Sequence, residues 1–301
     1  MEDHTGNREN ISVMKIIKAA YGGSDCTEQV RVRVINDKLL MRACNNIIGD
    51  PRPGIKKQLE IQYQMDNENR TAVYEEGNLV SLSSVKLNRL GIFYSNNNDK
   101  TIWPAIYKSL DTIQVASEGK ADIITCMWEF MICNPFHQII SWYKVPSHLT
   151  QLLQIMQCLY LAKEMNYEYV SFLEHDVMYP EGYFDYPDFN KGFVLTNMNY
   201  GGLCKDGWQN RKQNDEPFHQ MTMHLDDAIQ HCLFILPNAL KTNSGLIEKQ
   251  TNRITWECKN QAIHINHGIH FTSHYSIYDK TNLTETHPYW GNYSDYTNLF
   301  F

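Results

Sequence analysis

The pattern of hydrophobic and polar positions changes character near residue 85. Up to that point, short runs alternate between apolar and polar residues and are separated by glycine and proline turns. This alternation is typical of β-strands with one face in solvent. The predicted strands are residues 29–35, 39–43, 58–63, 70–74 and 78–82.

The rest of the chain alternates apolar runs with stretches of helical periodicity. Pro104 suits the first turn of a short helix over 103–110, and Ser147 suits the N-cap of a long amphipathic helix that ends near Met165. Further expected elements are strands over 90–94, 121–128, 169–173, 192–197 and 232–236, a helix over 243–253 and a histidine-rich strand or hairpin over 262–278. This order predicts an α/β fold with a mixed, mostly parallel sheet and helices on both faces.

We therefore expect a flexible N-terminus over 1–11, a small all-β domain over 12–84, and an α/β domain over 85–301 that ends in an aromatic strap. A β domain of about 70 residues is small for an enzyme, which favours binding, docking or a structural extension. Its segments Ala-Tyr-Gly-Gly, Gly-Asp-Pro-Arg-Pro-Gly and Lys-Gln-Leu-Glu-Ile-Gln-Tyr resemble an uncharacterised β domain attached to some DnaJ-type co-chaperones. That resemblance implies partner docking and assigns no catalytic residue.

The amino-acid composition bears on which classes of molecule the protein binds. The 301 residues are 43% hydrophobic and carry a net charge of -7. The acidic balance argues against broad, sequence-blind binding to nucleic acid or to membrane surfaces. Eight cysteines without a Cys-x-x-Cys pair, the lack of a visible signal peptide and the lack of a long apolar run lead us to expect a cytoplasmic protein with reduced thiols and no membrane contact.

The candidate chemistry lies where the predicted strand 169–173 ends, at Glu174-His175-Asp176. If the chain stays extended there, the two carboxylates point to the same side because they are two residues apart. Ligands of parallel sheets bind at the carboxyl ends of strands. Two hard oxygen donors at such an end suit a divalent cation that holds a phosphate. The alternative is a capped, salt-bridged strand end.

The order of elements over 89–278 resembles the nucleotide-sugar-dependent glycosyltransferases of the GT-A type. In that family, the strand after the nucleotide-binding half ends in Asp-x-Asp, from which this chain departs by Glu174 at the first position. The resemblance implies transfer of a sugar from a nucleotide-sugar donor, of the UDP type, to a hydroxyl acceptor with Mn²⁺ or Mg²⁺. Asp176 would ligate the cation, while Glu174 would bind the ribose or a metal-bound water.

The resemblance also implies roles for later residues. A late histidine often completes the metal shell, and His270 or His274 would do so here; a separate zinc site and ordinary sheet histidines are the alternatives. Asp226 or Asp227 would be the general base, unless this pair caps a short helix. The donor-binding set implied by the resemblance is Tyr94, Asn96, Asp122, Glu174, Asp176, Arg211 and Trp290.

Sugar contacts are expected among the aromatic residues that follow the acidic motif, which are Tyr179, Tyr183, Phe184 and Tyr186. The acceptor stays open between a glycan, a protein and a modified nucleobase. A sequence rich in lysine and asparagine with no visible secretion signal is compatible with a phage or bacterial enzyme. Two other functions fit the same residues. One is a metal-dependent hydrolase or nuclease that uses the carboxylates and late histidines, and the other is a non-enzymatic module that binds glycans or proteins.

Overall fold

The computed structural model describes residues 14–35, 38–65, 67–83, 87–95, 99–131, 134, 136–145, 147–209, 220–242, 252–265 and 283–300. The chain divides into two compact units, Met1–Lys86 and Leu87–Phe301. Among the described helices, none has the length and apolar character needed to cross a membrane.

The first unit consists of two antiparallel sheets around one apolar core. Its elements are β1 (Lys15–Tyr21), β2 (Ser24–Asp25), α1 (Thr27–Arg31), β3 (Val34–Ile35), β4 (Lys38–Arg42), α2 (Asn45–Ile48), β5 (Gln58–Met65), β6 (Glu68–Glu75) and β7 (Leu79–Ser83). The strand orders are β2-β1-β5-β6 and β3-β4-β7. Alternate residues of β4 and β5 are buried in the shared core, as their apolar-polar alternation predicts.

The predicted strand over 29–35 is wrong. Its first part is the helix α1, and only its last two residues form β3. The side chain of Asp25 accepts hydrogen bonds from the backbone N–H of Thr27, at 2.9 Å, and from the Thr27 hydroxyl, at 2.6 Å. This Asx-type bond favours a helical start over an extended chain. In the predicted strand Val32 would face the core with the other valines, but it is exposed.

A buried lysine joins the turns of the first unit. Lys57 is 3% exposed, and its Nζ lies 2.9 Å from Asp50 Oδ1 and 3.7 Å from Glu76 Oε2. The same ammonium donates to the carbonyl of Ile55 at 2.9 Å. Gly22, at φ +57°, leaves room for this side chain, because a Cβ there would lie 3.0 Å from Lys57 Cγ. The charge is thus fully paired inside the fold.

The second unit is α/β. Its elements are β8 (Arg89–Tyr94), a 3-10 helix (Lys100–Ile102), α3 (Trp103–Ser117), β9 (Asp122–Met127), β10 (His137–Ile140), α4 (His148–Glu164), β11 (Tyr169–Glu174), β12 (Val177–Met178), β13 (Val194–Asn197), β14 (Tyr200–Cys204), β15 (Gly207–Gln209), β16 (Met221–His224), α5 (Leu225–Thr242), β17 (Arg253–Trp256), β18 (Ala262–Ile265), β19 (Thr286–His287), β20 (Gly291–Asn292) and a second 3-10 helix (Tyr293–Leu299).

A seven-stranded sheet in the order β10-β9-β8-β11-β16-β13-β17 forms the centre of this unit. Every strand runs in the same direction except β16, which is antiparallel to both of its neighbours. The apolar side of α3 packs with Phe93, Ile123 and Leu173 on one face, and α4 contacts β8 and β9 from the other face. The predicted fold class, a mixed and mostly parallel sheet with helices on both faces, is confirmed.

Most predicted elements of this unit are present, including α4 with Ser147 as its N-cap. The predicted strand over 232–236 is wrong, because it lies inside α5. Cys232 and Ile235 are buried there at helical spacing, while Phe234 is exposed. A continuous apolar run does not by itself separate a strand from a helix. Of the predicted helix over 243–253, residues 243–251 lie outside the described residues, and Arg253 begins β17.

A smaller sheet, in the order β12-β18-β14-β15, follows directly from β11. The β19–β20 hairpin and the last 3-10 helix pack beside it. Trp208 in β15 donates its Nε1–H to the carbonyl of Gly291 at 2.9 Å, and its ring lies 5.2 Å from that of His287 and 5.3 Å from that of Tyr296. The aromatic tail is thereby held against the small sheet.

His287 fixes the hairpin through both ring nitrogens. Nδ1 accepts the backbone N–H groups of Tyr289, at 3.1 Å, and Trp290, at 3.2 Å, while Nε2 lies 3.0 Å from Gln261 Oε1. The two N–H donors require an unprotonated Nδ1, so the bonded form is the neutral imidazole. Burial lowers the pKa of His287 from its ordinary value.

Candidate active site

The main sheet changes direction at β8. From β8 the chain proceeds outward to β9 and β10 on one side, and it then returns to place β11 on the other side. Open α/β sheets bind ligands outside the carboxyl ends of the strands at such a switch point. Tyr94 ends β8 and Glu174 ends β11, and these two residues are paired in register. The predicted acidic strand end therefore lies at the switch point.

Glu174 is held from the side by two neutral donors. The Tyr94 hydroxyl donates to Glu174 Oε1 at 2.9 Å, and Gln151 Nε2 from α4 donates to the same oxygen at 3.3 Å. Tyr94 is 1% exposed, and burial, followed by the charge of Glu174, raises its pKa well above the usual value. Tyr94 consequently remains a protonated donor to the carboxylate.

The backbone after Glu174 is fixed by side chains on α3 and by Tyr179. The N–H of Glu174 donates to the Tyr179 hydroxyl at 2.9 Å, and the N–H of Tyr179 donates to Thr112 Oγ1 at 3.1 Å. Ser109 Oγ donates to the carbonyl of His175 at 3.0 Å. These bonds preorganise the acidic segment before any ligand binds.

The expectation of an extended chain through this segment is wrong, because His175 and Asp176 form a turn. The turn separates the partners of the two carboxylates. Asp176 Oδ2 lies 3.3 Å from His264 Nε2, and the side chains are 14% and 7% exposed. Pairing of β12 with β18 brings His264 there, since the N–H of Ile265 donates to the carbonyl of Asp176 at 2.7 Å.

The Asp176–His264 pair has the donor types and spacing of two adjacent cation ligands. At metal–ligand distances of about 2.1 Å, two ligands at a right angle lie about 3 Å apart. Within the described ranges, no group of three or more His, Cys, Asp or Glu side chains is placed to hold a metal. Beyond these two side chains, substrate oxygens or water can supply further ligands, as they commonly do for Mg²⁺.

Two predicted residues, Asp226 and Asp227, lie at the edge of the sheet opposite to Glu174. β16 is antiparallel to β11, so Asp226 and Asp227 follow it at the amino end of β11. Asp226 Oδ2 lies 2.9 Å from Lys191 Nζ, and this hydrogen bond lowers its pKa. Asp227 Oδ2 accepts the N–H of Gly192 at 2.6 Å. This placement does not support the prediction that one of them is the general base.

Asp122, predicted to bind the donor, is at the same distant edge. It begins β9 and accepts the Tyr167 hydroxyl on Oδ2 at 2.8 Å. Trp290 lies near the small sheet instead, and its Nε1–H donates to the carbonyl of Gln261, just before β18, at 2.8 Å. The remaining predicted site residues lie outside the described residues: Asn96, Arg211, His270 and His274.

The sequence interpretation missed two polar residues on α4. Gln151 contacts Glu174, and Gln154 is fully buried. Gln154 Nε2 donates to the carbonyls of Ser95, at 2.6 Å, and Cys126, at 3.3 Å, which ties the helix to the ends of β8 and β9. Its Oε1 has no hydrogen-bond partner within the described part of the chain. The sequence did contain a signal for Gln154: it is a polar residue at a position that belongs to the inward-facing apolar stripe of α4.

The aromatic residues after the acidic motif are core residues. Each is at most 1% exposed: Tyr179, Tyr183, Phe184 and Tyr186. Their expected contact with sugars is therefore wrong. Among the described residues, the exposed aromatic side chains that follow β9 and β10 are Phe130, Trp142 and Tyr143.

Comparison with known protein families finds no match, and comparison with curated proteins finds none either. The resemblance of the first unit to the DnaJ-associated domain therefore has no support. One solved structure similar to this chain is described as a glycosyltransferase involved in the glycosylation of the major capsid of PBCV-1. It is 12% identical, the match covers 62% of this chain and 95% of that chain, and the TM-score is 0.38. At that score the likeness carries no functional weight, so function rests on the site.

Proposed function

We propose that this protein is a glycosyltransferase that moves a sugar from a nucleotide-sugar donor of the UDP type to a hydroxyl acceptor, with Mn²⁺ or Mg²⁺ bound at Asp176. The observation that supports this most strongly is the position of Glu174 and Asp176 at the carboxyl end of β11, beside the switch point. Nucleotides bind at that place in open α/β sheets.

The residues around the turn at His175 and Asp176 have different roles in this proposal. Asp176 and His264 supply an oxygen and a nitrogen ligand 3.3 Å apart. Glu174, oriented by Tyr94 and Gln151, would accept a hydrogen bond from a ribose hydroxyl or from a water of the cation shell. A bound cation supplies Lewis-acid stabilisation of the charge that develops on the departing diphosphate.

His264 takes the role that the sequence interpretation assigned to His270 or His274. The reason is that β18 pairs with β12 and thereby places His264 beside Asp176. Asp226 and Asp227 receive no role in this proposal, because they lie at the other edge of the sheet.

Isothermal titration calorimetry with UDP tests the proposal. We expect the wild type to bind UDP with Mn²⁺ present and at least tenfold more weakly without it. Asp176→Asn removes the charge while keeping the shape, so it should weaken binding in Mn²⁺ at least tenfold, the equivalent of about 1.4 kcal/mol. Asp226→Asn is the matched control, since the same change at the opposite edge should leave the affinity unaltered.

Binding of UDP that does not depend on Mn²⁺, or equal affinities for Asp176→Asn and the wild type, would contradict the site. Circular dichroism of both variants checks that the fold is intact. Mass spectrometric detection of UDP released from UDP-glucose, UDP-galactose and UDP-N-acetylglucosamine then identifies the donor. Release that persists in Asp176→Asn would place the chemistry elsewhere.

A further inference from the structure

An exposed apolar surface lies at the end of β10 and on the two loops that follow the neighbouring strands β9 and β10. We call it the aromatic patch, and it consists of Phe130, Ile140, Trp142, Tyr143 and Val145. Phe130 is 67% exposed and Trp142 is 89% exposed. Single exposed apolar residues need no explanation, but a cluster that includes large aromatic rings marks an interaction site.

Hydrogen bonds hold the described residues of the loops that carry the patch. Gln138 in β10 clamps the backbone of Met131: its Oε1 accepts the Met131 N–H at 2.8 Å, and its Nε2 donates to the Met131 carbonyl at 2.7 Å. Ser141 continues the pairing of β10 with β9, because its N–H donates to the carbonyl of Met127 at 2.7 Å. Its Oγ donates to the carbonyl of Tyr143 at 2.7 Å. A ligand would therefore order little of this backbone on binding.

The patch lies at the same carboxyl-terminal edge of the main sheet as Glu174. β9 and β10 are the second and third strands from β11. With a spacing of about 4.8 Å between strands, their ends are about 10 Å and 14 Å from the end of β11. An extended ligand of a few rings that rests on Phe130 and Trp142 can thus reach the switch point.

The charges around the patch favour a neutral ligand. The loops contribute one acidic residue, Glu129, and one basic residue, Lys144. Nucleic acid needs a positively charged groove beside its stacking rings, and interfacial helices and loops on anionic membranes rely on several Lys or Arg residues. The protein also has a net charge of -7. A saccharide has apolar C–H faces that stack on aromatic rings, and its hydroxyl groups stay solvated.

We propose that the aromatic patch binds the acceptor and that the acceptor is a neutral glycan. This inference rests on the proposed transferase function and goes further by naming the substrate class and its binding surface. Phe130 and Trp142 would each stack on a sugar ring while the terminal hydroxyl extends toward Glu174 and Asp176.

The test is calorimetric titration with neutral hexasaccharides of glucose, galactose, mannose, xylose and N-acetylglucosamine. We expect the wild type to bind at least one of them, and Phe130→Ala and Trp142→Ala each to weaken that binding about tenfold, the effect of losing one stacked ring. Phe234→Ala is the matched control, because Phe234 is an equally exposed ring on α5. All three variants should retain the wild-type affinity for UDP.

Several results overturn the inference: no hexasaccharide binds, or the patch variants bind as the wild type does. It is also overturned if the wild type binds vesicles of phosphatidylcholine and phosphatidylglycerol and Trp142→Ala abolishes that binding. The two proposals fail separately. Saccharide binding without UDP binding contradicts the transferase and leaves the saccharide surface supported, while UDP binding without saccharide binding contradicts the glycan acceptor alone.

Discussion

Replacement of Tyr94 by phenylalanine tests how the site is held together. The change removes only the hydroxyl that donates to Glu174 Oε1 at 2.9 Å. A hydrogen bond to a charged group contributes about 1.5–3 kcal/mol. Glu174 is partly exposed and keeps the bond from Gln151, so water can replace part of the loss. We therefore expect a cost near the lower end, about 1.5 kcal/mol.

For a unit of this size, 1 kcal/mol lowers the melting temperature by about 2–4 °C, so Tyr94→Phe should melt about 3–6 °C below the wild type. Loss of the donor also frees the Glu174 carboxylate to adopt other rotamers. UDP affinity in Mn²⁺ should therefore fall roughly fivefold, the equivalent of about 1 kcal/mol. Differential scanning calorimetry measures the first effect, and isothermal titration measures the second.

Tyr167→Phe is the matched control, because the Tyr167 hydroxyl donates to Asp122 Oδ2 at 2.8 Å at the opposite edge of the sheet. It should lower the melting temperature by a similar amount and leave UDP affinity unchanged. A Tyr94→Phe protein that melts within 1 °C of the wild type refutes the claim that this hydrogen bond stabilises the site. If both variants weaken UDP binding equally, the effect reflects general destabilisation.

Three further predictions concern packing, a buried charge and pH. Gly91→Ala should destabilise the second unit by about 1–3 kcal/mol in urea denaturation, because its Cβ would lie 2.7 Å from Leu173 Cδ1; unchanged stability would refute this. Lys57→Met removes the ammonium that pairs with the Asp50 carboxylate. Because that carboxylate is partly exposed, the loss of unfolding free energy should be about 1–2 kcal/mol rather than the roughly 3–5 kcal/mol of a fully buried pair. A urea denaturation midpoint equal to that of the wild type would contradict the pairing. Burial lowers the pKa of His287, so the unfolded chain binds more protons and stability should fall as the pH drops below about 6.5. In thermal melts from about pH 7.5 to 5.5, the melting temperature of His287→Gln should fall less than that of the wild type.

Local patterns predicted the elements whose burial follows their own periodicity. The alternation of β5 and the apolar run of β11 predicted two strands that the structure contains. Ser147 marked the start of α4, since its hydroxyl accepts the N–H of Thr150 at 3.1 Å. The same method failed at a continuous apolar run, which fits the periodicity of a strand and that of a helix equally well. Residues 232–236 are uniformly apolar, and only the burial of every third or fourth side chain in α5 separates helix from strand.

The sequence also predicted correctly that the acidic residues lie at the end of a strand, but not which residues surround them. The prediction for Asp226 and Asp227 depended on the direction of β16, which is antiparallel to its neighbours and carries them to the far edge. No local pattern reports strand direction within a mixed sheet. Gln154 was hidden for a different reason: its inward position on α4 was visible, but the carbonyls of Ser95 and Cys126 that it binds were not.

The junction of two sheets explains why the sequence did not single out His264 as a partner of Asp176. β11 belongs to the main sheet, and after a two-residue turn β12 belongs to the small sheet, so Glu174 and Asp176 point toward different partners. The partner of Asp176 comes from a strand 88 residues later in the chain. A one-residue slip between β12 and β18 would turn His264 to the opposite face of that sheet. The candidate cation site thus depends on strand register, which is set by packing of the small sheet and not by the acidic motif itself.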